Sequence, residues 1–237
     1  MVMSKSLEIQ NLKINTFGIN GQTILDVPYF NLEGERELVI SGASGSGKTT
    51  FLYAIAGLFL KLNGKVSWDR SNLYNLASVE RDKWRSQNLG MIFQNFQLLD
   101  ELSVLDNILV PTGFDSFFCP KDMIYKAEKL ADEFSISIHN STIAHMSRGE
   151  KQRIALARAL IKDAPIILAD EPTASLDEAN ARNILEHLRK ISAEGDKTLI
   201  IVSHDPAVME QIDNKLLLEH GKIIKNTLPT IPNVGAA

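Results

Sequence analysis

The 237-residue chain has a single cysteine, Cys119. An intramolecular disulfide is therefore excluded, and the core must hold without covalent staples, as suits a reducing compartment. No motif around Cys119 marks it as a nucleophile, so its expected place is as small apolar filler. Long apolar runs are missing too: a membrane-spanning helix needs roughly 20 apolar residues, whereas stretches such as Ile166–Ala169 have only the length of a strand. If the protein works at a membrane, another chain must cross it. The opening MVMSKSLEIQNL has no apolar core of a secretory signal, so none is expected. Nor is there a basic excess. Lys and Arg number 25 against 29 Asp and Glu, a net charge of −4. That leaves no global positive field for nucleic acid, and no nucleic-acid partner is expected.

What remains is the composition of a soluble globular protein, 44% hydrophobic and 23% charged, with length for one α/β domain or one domain carrying an insertion. Leu7–Ile14 and residues 23–32 read as strands around a turn containing Gly18, Asn20 and Gly21. Leu38–Ser41 is a short apolar strand that runs into a glycine-rich loop, and Thr49–Leu60 has helical spacing. Gly64–Trp68 and Leu89–Phe93 are further strands. Residues 96–146 change character. Ser103 can cap a helix that Pro111 ends, and Lys121–Phe134 is amphipathic. From Gly149 the order is helix to Ile161, strand Ile166–Ala169, helix Glu178–Ala193 and strand Thr198–Val202. This alternation predicts a parallel sheet covered on both faces. Leu216–Glu219 and Lys222–Ile224 flank a hairpin turn at His220-Gly221. The expected layout is one domain over 1–225 with a helical insertion at about 96–146, then a loose tail over 226–237.

The strongest local signal is Gly42-Ala43-Ser44-Gly45-Ser46-Gly47-Lys48-Thr49, followed by Thr50. It fits the phosphate-binding pattern G-x-x-x-x-G-K-[ST] without mismatch, between a strand and a helix. Glycines let backbone N–H groups converge on phosphate oxygens, and the helix N-terminus adds partial positive charge. Lys48 is expected on the β- and γ-phosphates of a nucleoside triphosphate, and the Thr49 hydroxyl on Mg²⁺. Alone, the loop says only that a nucleoside triphosphate binds.

Ile166–Ala169 delivers Asp170 and Glu171 to the end of a strand, beside the expected phosphates. Asp170 can hold Mg²⁺ through water, and Glu171 can orient and deprotonate an attacking water. Read alone, the pair is equally a strand followed by a polar cap before Pro172; the upstream loop shifts the balance toward chemistry. Ser147 with Glu150 three residues on has the form of a capping box, which by itself implies no more than a well-capped amphipathic helix. His204, alone, is an ordinary polar residue after a strand.

Taken in order, Gly42–Thr49, Gln94, Ser147-Arg148-Gly149-Glu150, Asp170-Glu171, Ser175-Leu176-Asp177 and His204 resemble the motif set of the ABC ATPases, over roughly residues 7–225. The resemblance implies an α/β fold: a P-loop NTPase (RecA-like) core of ABC type with an N-terminal antiparallel β subdomain and an inserted α-helical subdomain. It implies ATP and Mg²⁺ bound between two copies of the chain, with Ser147, Gly149 and Glu150 of one facing the phosphate loop of the other. Gln94 would meet Mg²⁺ and the attacking water, and link the site to a membrane partner. His204 would bond the γ-phosphate and position the water of Glu171; Asp177 would join the two sites. Phe17 is the candidate for stacking on adenine, with a loop or core aromatic as its plainer reading. Arg148 departs from the pattern, which carries two glycines after the serine. It can crowd the partner's nucleotide or contact its phosphate.

The stretch from Leu89 to Ile108 is similar to the lipoprotein-releasing, macrolide-exporting and cell-division branch. That likeness implies integral membrane permease subunits as partners, a peripheral place on the cytoplasmic side of the inner (plasma) membrane, and a docking surface on the helical insertion. An ATP-gated module that hydrolyses little and a small-solute importer ATPase stay open as alternatives.

Overall fold

A computed structural model describes residues 4–16, 21–34, 36–114, 119–138, 143–174 and 176–228. Two sheets organise it. In the first, β1 (Leu7–Asn15), β2 (Thr23–Leu32), β4 (Asn63–Trp68) and β5 (Ser71–Asn72) lie in the order β2-β1-β4-β5, all antiparallel. The buried positions of β1 switch phase, from Leu7 and Ile9 to Leu12 and Ile14. The cause is a bulge. Asn11 takes a left-handed φ of 50°, and the register against β4 shifts between Gln10 and Lys13. Gly64 lies against this bulge, where a Cβ would meet the Asn11 carbonyl oxygen at 2.3 Å.

The second sheet has the order β10-β9-β3-β8-β7-β6. Its strands are β3 (Glu37–Ser41), β6 (Leu89–Ile92), β7 (Ile166–Asp170), β8 (Thr198–Val202), β9 (Lys215–Glu219) and β10 (Lys222–Asn226). The pairs from β9 to β6 are parallel, and β10 closes the edge antiparallel to β9. Every residue of β7 and β8 is buried, as both-face coverage requires. Successive side chains point to opposite faces, so each strand feeds two cores. Ile166, Leu168, Ile200 and Val202 pack with α1 (Lys48–Ile55) and the first sheet. Ile167, Ala169, Leu199 and Ile201 pack on the other face. There they meet residues of α3 (Val104–Leu109), α4 (Lys121–Glu133), α5 (Arg148–Leu160), α6 (Glu178–Glu194) and α7 (Pro206–Gln211).

Differences from the sequence expectations have local causes. α1 stops at Ile55, not Leu60, because Gly57 turns left-handed at φ 70°. Gly57 N then donates to Ala54 O and Leu58 N to Tyr53 O, a Schellman-type ending. Three side chains bond carbonyls at this helix end: Trp68 Nε1 at Ile55 O (2.8 Å), the Tyr74 hydroxyl at Ala54 O (2.9 Å) and Arg85 Nη1 at Gly57 O (2.6 Å). The helix that begins at the phosphate loop is thereby fixed at its far end. α2 (Ser78–Asn88) was not foreseen: only Arg81 is buried on it, so it shows no apolar stripe. α7 was also missed, although Asp205 caps it at Ala207 N (2.9 Å) and Pro206 opens it. The α-helix capped by Ser103 ends at Leu109, with Val110 as its C-cap just before Pro111, as expected, and a 3-10 turn over Val110–Phe114 follows it. Cys119 is exposed rather than apolar filler.

Candidate functional site

Parallel strands β3, β8 and β7 are neighbours, so their C-terminal ends share one edge of the sheet. Each delivers chemistry there. From β3 the chain enters the loop of Gly42–Gly47 and continues as α1. Gly42, Gly45 and Gly47 have φ of 148°, 76° and 101°. The loop is braced from behind: Gly221 N, in the β9–β10 turn, donates to Ser46 O at 3.0 Å. Lys48 is buried, and its ammonium donates to the carbonyls of Gly42 (2.8 Å) and Ala43 (3.0 Å). The cation is thus stationed inside the loop's own curve, where a polyanion would meet both it and the α1 N-terminus.

β7 supplies Asp170 and Glu171. The Thr49 hydroxyl donates to Asp170 Oδ1 at 3.2 Å, tying the start of α1 to the strand end. Asp170 Oδ2 and Ser46 Oγ are buried without hydrogen-bond partners. Burial pushes the Asp170 carboxyl above its ordinary pKa; the Thr49 bond opposes this, the charge of Glu171 adds to it, and Lys48 opposes it. An orphaned carboxylate oxygen beside a threonine hydroxyl suits a hard, oxygen-seeking cation such as Mg²⁺. Among the described residues no group of three or more His, Cys, Asp or Glu could hold a metal. One carboxylate, one hydroxyl, an amide oxygen such as that of Gln94, water and phosphate oxygens form the donor set that remains.

The sign of this shift gives a prediction. A carboxyl whose folded pKa is raised contributes stability below its unfolded pKa and loses it as pH rises through the folded value. At neutral pH, then, ionised Asp170 weighs against the nucleotide-free fold. Asp170→Asn is expected to raise Tm of the nucleotide-free chain at pH 7 and to lower Mg²⁺-dependent ATP turnover; thermal melts over pH 4–8 check it.

Glu171 is nearly buried and takes a left-handed φ of 49°, with its N–H bonded to Val202 O at 2.9 Å. Such strain in a non-glycine residue persists only where surrounding structure enforces it, and it gathers at functional sites. Its Oε1 lies 2.7 Å from Nδ1 of His204, which follows β8 and is exposed. With the proton on Nδ1, His204 donates to the carboxylate and leaves Nε2 for a ligand.

The remaining predicted residues lie around this edge. Gln94 is exposed just past β6, the neighbour of β7. Ser147 caps α5: its Oγ accepts from Glu150 N (3.3 Å), and its own N–H donates to Glu150 Oε2 (2.8 Å). The Ser147 hydroxyl is the main cause holding the Glu150 carboxyl below its usual range. Among the described residues, the side-chain hydrogen bonds of Ser147 and Glu150 are with each other, and none reaches the phosphate loop. Gly149 packs beside Leu176, with a Cβ position 3.7 Å from Leu176 Cδ2. Asp177 is exposed and caps α6 at Asn180 N (3.1 Å), the bond chiefly responsible for its lowered pKa. Phe17 and Ser175 lie outside the described residues.

Sequence reasoning missed two residues that tie α5 to the site. Buried Gln152 donates to the Pro172 carbonyl, immediately after Glu171. Arg158 donates to the carbonyls of Phe96 and of Gln97, just beyond Gln94. The stretch Gly149–Arg158 gives no sign of them, because both partners come from distant chain.

The sequence profile of ABC transporters matches residues 25–174, more than half of the chain and most of this site. The chain belongs to the ABC transporter family. It is an ATP-binding cassette ATPase. Relatives include the lipoprotein-releasing system ATP-binding protein LolD of Leptospira interrogans, 31% identical over 94% of this cassette and 92% of that protein. LolD of Acinetobacter baylyi is 38% identical over 77% of the cassette and 80% of its own length. Among solved structures, the post-hydrolysis dimer of the cassette MJ0796 bound to ADP and Pi superposes with a TM-score of 0.84. Identity there is 29%, over 93% of this cassette and 97% of that chain. The fold is that of the ABC cassettes, an α/β P-loop core.

Proposed function

We propose that two copies of this cassette close around two ATP molecules and hydrolyse them to drive separate membrane-spanning subunits. The observation that carries this is the convergence at one sheet edge of Lys48 in its loop, Thr49 bonded to Asp170, and Glu171 bonded to His204. Gly42, Ala43, Ser44, Gly45, Ser46, Gly47, Lys48, Thr49 and Thr50 hold the phosphates, with Lys48 leaving its two carbonyls for the β- and γ-oxygens. Mg²⁺, when bound by Thr49, Asp170 and Gln94, supplies charge neutralisation at the phosphates. Glu171 accepts the proton of the attacking water, and His204 holds that carboxylate in place and meets the γ-phosphate.

Ser147, Gly149 and Glu150 act on the nucleotide of the second copy, through the exposed α5 N-terminus and the Ser147 hydroxyl. Among the described side-chain hydrogen bonds the Ser147 hydroxyl and the Glu150 carboxylate engage only each other, which supports a role across an interface. Asp177 follows Leu176, which packs beside Gly149, and in this reading it joins the two sites. Domain 1–225 with its helical insertion at about 96–146 is the unit that closes, and the insertion carries the docking surface.

The named relatives are ATP-binding subunits of lipoprotein-releasing systems, and this supports the same branch here. No described helix is long and apolar enough to cross a membrane. In this reading the cassette sits on the cytoplasmic face of the inner membrane, held by integral permease subunits. The chain solubilised from its own membranes should carry such subunits and turn ATP over faster with them than alone. Recovery of the chain without any integral partner, at an unchanged rate, would tell against the reading.

A further inference from the structure

Arg148 occupies the place where the related signatures carry a glycine, and the structure gives its side chain a partner within the same chain. Its guanidinium carbon stands 5.5 Å from the centroid of the Phe96 ring, within cation–π range. Phe96 and Gln97 both have left-handed backbones, with φ of 58° and 52°. Neither is glycine, so this turn is strained and must be held. α5 holds it at two points. Near its C-terminal end, buried Arg158 donates to the carbonyls of Phe96 and Gln97. At its first residue, Arg148 covers the ring of Phe96. Burial keeps the Arg158 guanidinium below its usual pKa, and those carbonyls are its compensation.

We propose that Arg148 is a positioning residue for hydrolysis: through Phe96 it holds the turn at 96–97, and so sets Gln94 beside Asp170 and Glu171. The inference rests on the ATPase reading of the site. Within the single chain the guanidinium is engaged with the Phe96 ring. One further consequence is geometric. Phe96 and Arg148 line a cavity of about 430 Å³ with Leu98, Ile143, Met146 and Lys151, so the pair also shapes the recess beside the turn.

The test is a double-mutant cycle in the full chain, with kcat and KM for ATP measured for Arg148→Ala, Phe96→Leu and both together. Each single change should lower kcat about two- to fivefold, the span of an exposed cation–π contact, with KM unchanged. The double variant should be no slower than either single one. Arg148→Lys, which keeps a cation over the ring, should recover most of the rate. Amide exchange over residues 94–99 of the nucleotide-free chain should quicken in Arg148→Ala and in the double variant alike. Multiplying effects, a raised KM at constant kcat, or unaltered exchange would overturn the proposal. A wild-type chain without turnover defeats the ATPase reading alone, and the exchange measurement still decides on the turn.

Discussion

Glu171→Gln should reduce ATP turnover by about 10²- to 10⁴-fold, the usual contribution of a positioned general base, while ATP still binds. The substitution keeps the size and hydrogen-bonding reach of the side chain but removes its capacity to take a proton. The left-handed backbone at 171 is enforced from outside the side chain, by the bond from its N–H to Val202 O. The strand end and its neighbour Pro172, held by Gln152, should therefore stay where they are. Lys48, Thr49 and the loop glycines are untouched, so nucleotide affinity persists. Steady-state phosphate release with a parallel nucleotide-binding titration measures both halves. Turnover within a few-fold of wild type would remove Glu171 from the reaction.

Gly42→Ala should weaken ATP binding by at least about tenfold and also lower stability. A Cβ at 42 would stand 2.1 Å from the Leu218 carbonyl oxygen and 2.7 Å from Ser46 Oγ. The first is backbone of β9 and cannot step aside without moving the sheet. A φ of 148° adds strain for any L side chain, of order 1–3 kcal/mol. Relief requires the loop to shift away from β9. That shift disturbs the Gly42 and Ala43 carbonyls that station Lys48. Urea denaturation and ATP titration of the variant are the measurements; wild-type values in both would mean the loop is far more pliable than its contacts allow. Gly45, by contrast, has open space where a Cβ would go, so in the nucleotide-free chain a change there meets only the backbone preference.

These expectations divide along what local sequence can express. The phosphate loop was legible because its chemistry is contiguous: glycines, lysine and threonine in a fixed pattern between strand and helix. The buried strand ending in Asp170-Glu171 and the capping box at Ser147 were legible for the same reason. Helix α2 was not, since a helix that buries little has no stripe to read. The bulge at Asn11 was hidden because a phase switch in β1 looks, in one dimension, like imperfect alternation. Partners set by the tertiary fold were invisible altogether. Nothing near Gln152 announces Pro172, and nothing near Arg148 announces Phe96; those contacts arise only once α5 packs against the segments that follow β6 and β7. For the same reason the departure at Arg148 could be noticed in the sequence but not interpreted there.

The central claim is that the Ser147-capped end of α5 completes the nucleotide site of a second copy. The most direct measurement is a structure of the Glu171→Gln chain crystallised with ATP and Mg²⁺. The account predicts a two-fold dimer with two ATP molecules, each held by one phosphate loop and approached at its γ-phosphate, within hydrogen-bond distance, by Ser147 of the other copy. ATP-loaded monomers, or a dimer in which both α5 ends face solvent, would contradict it.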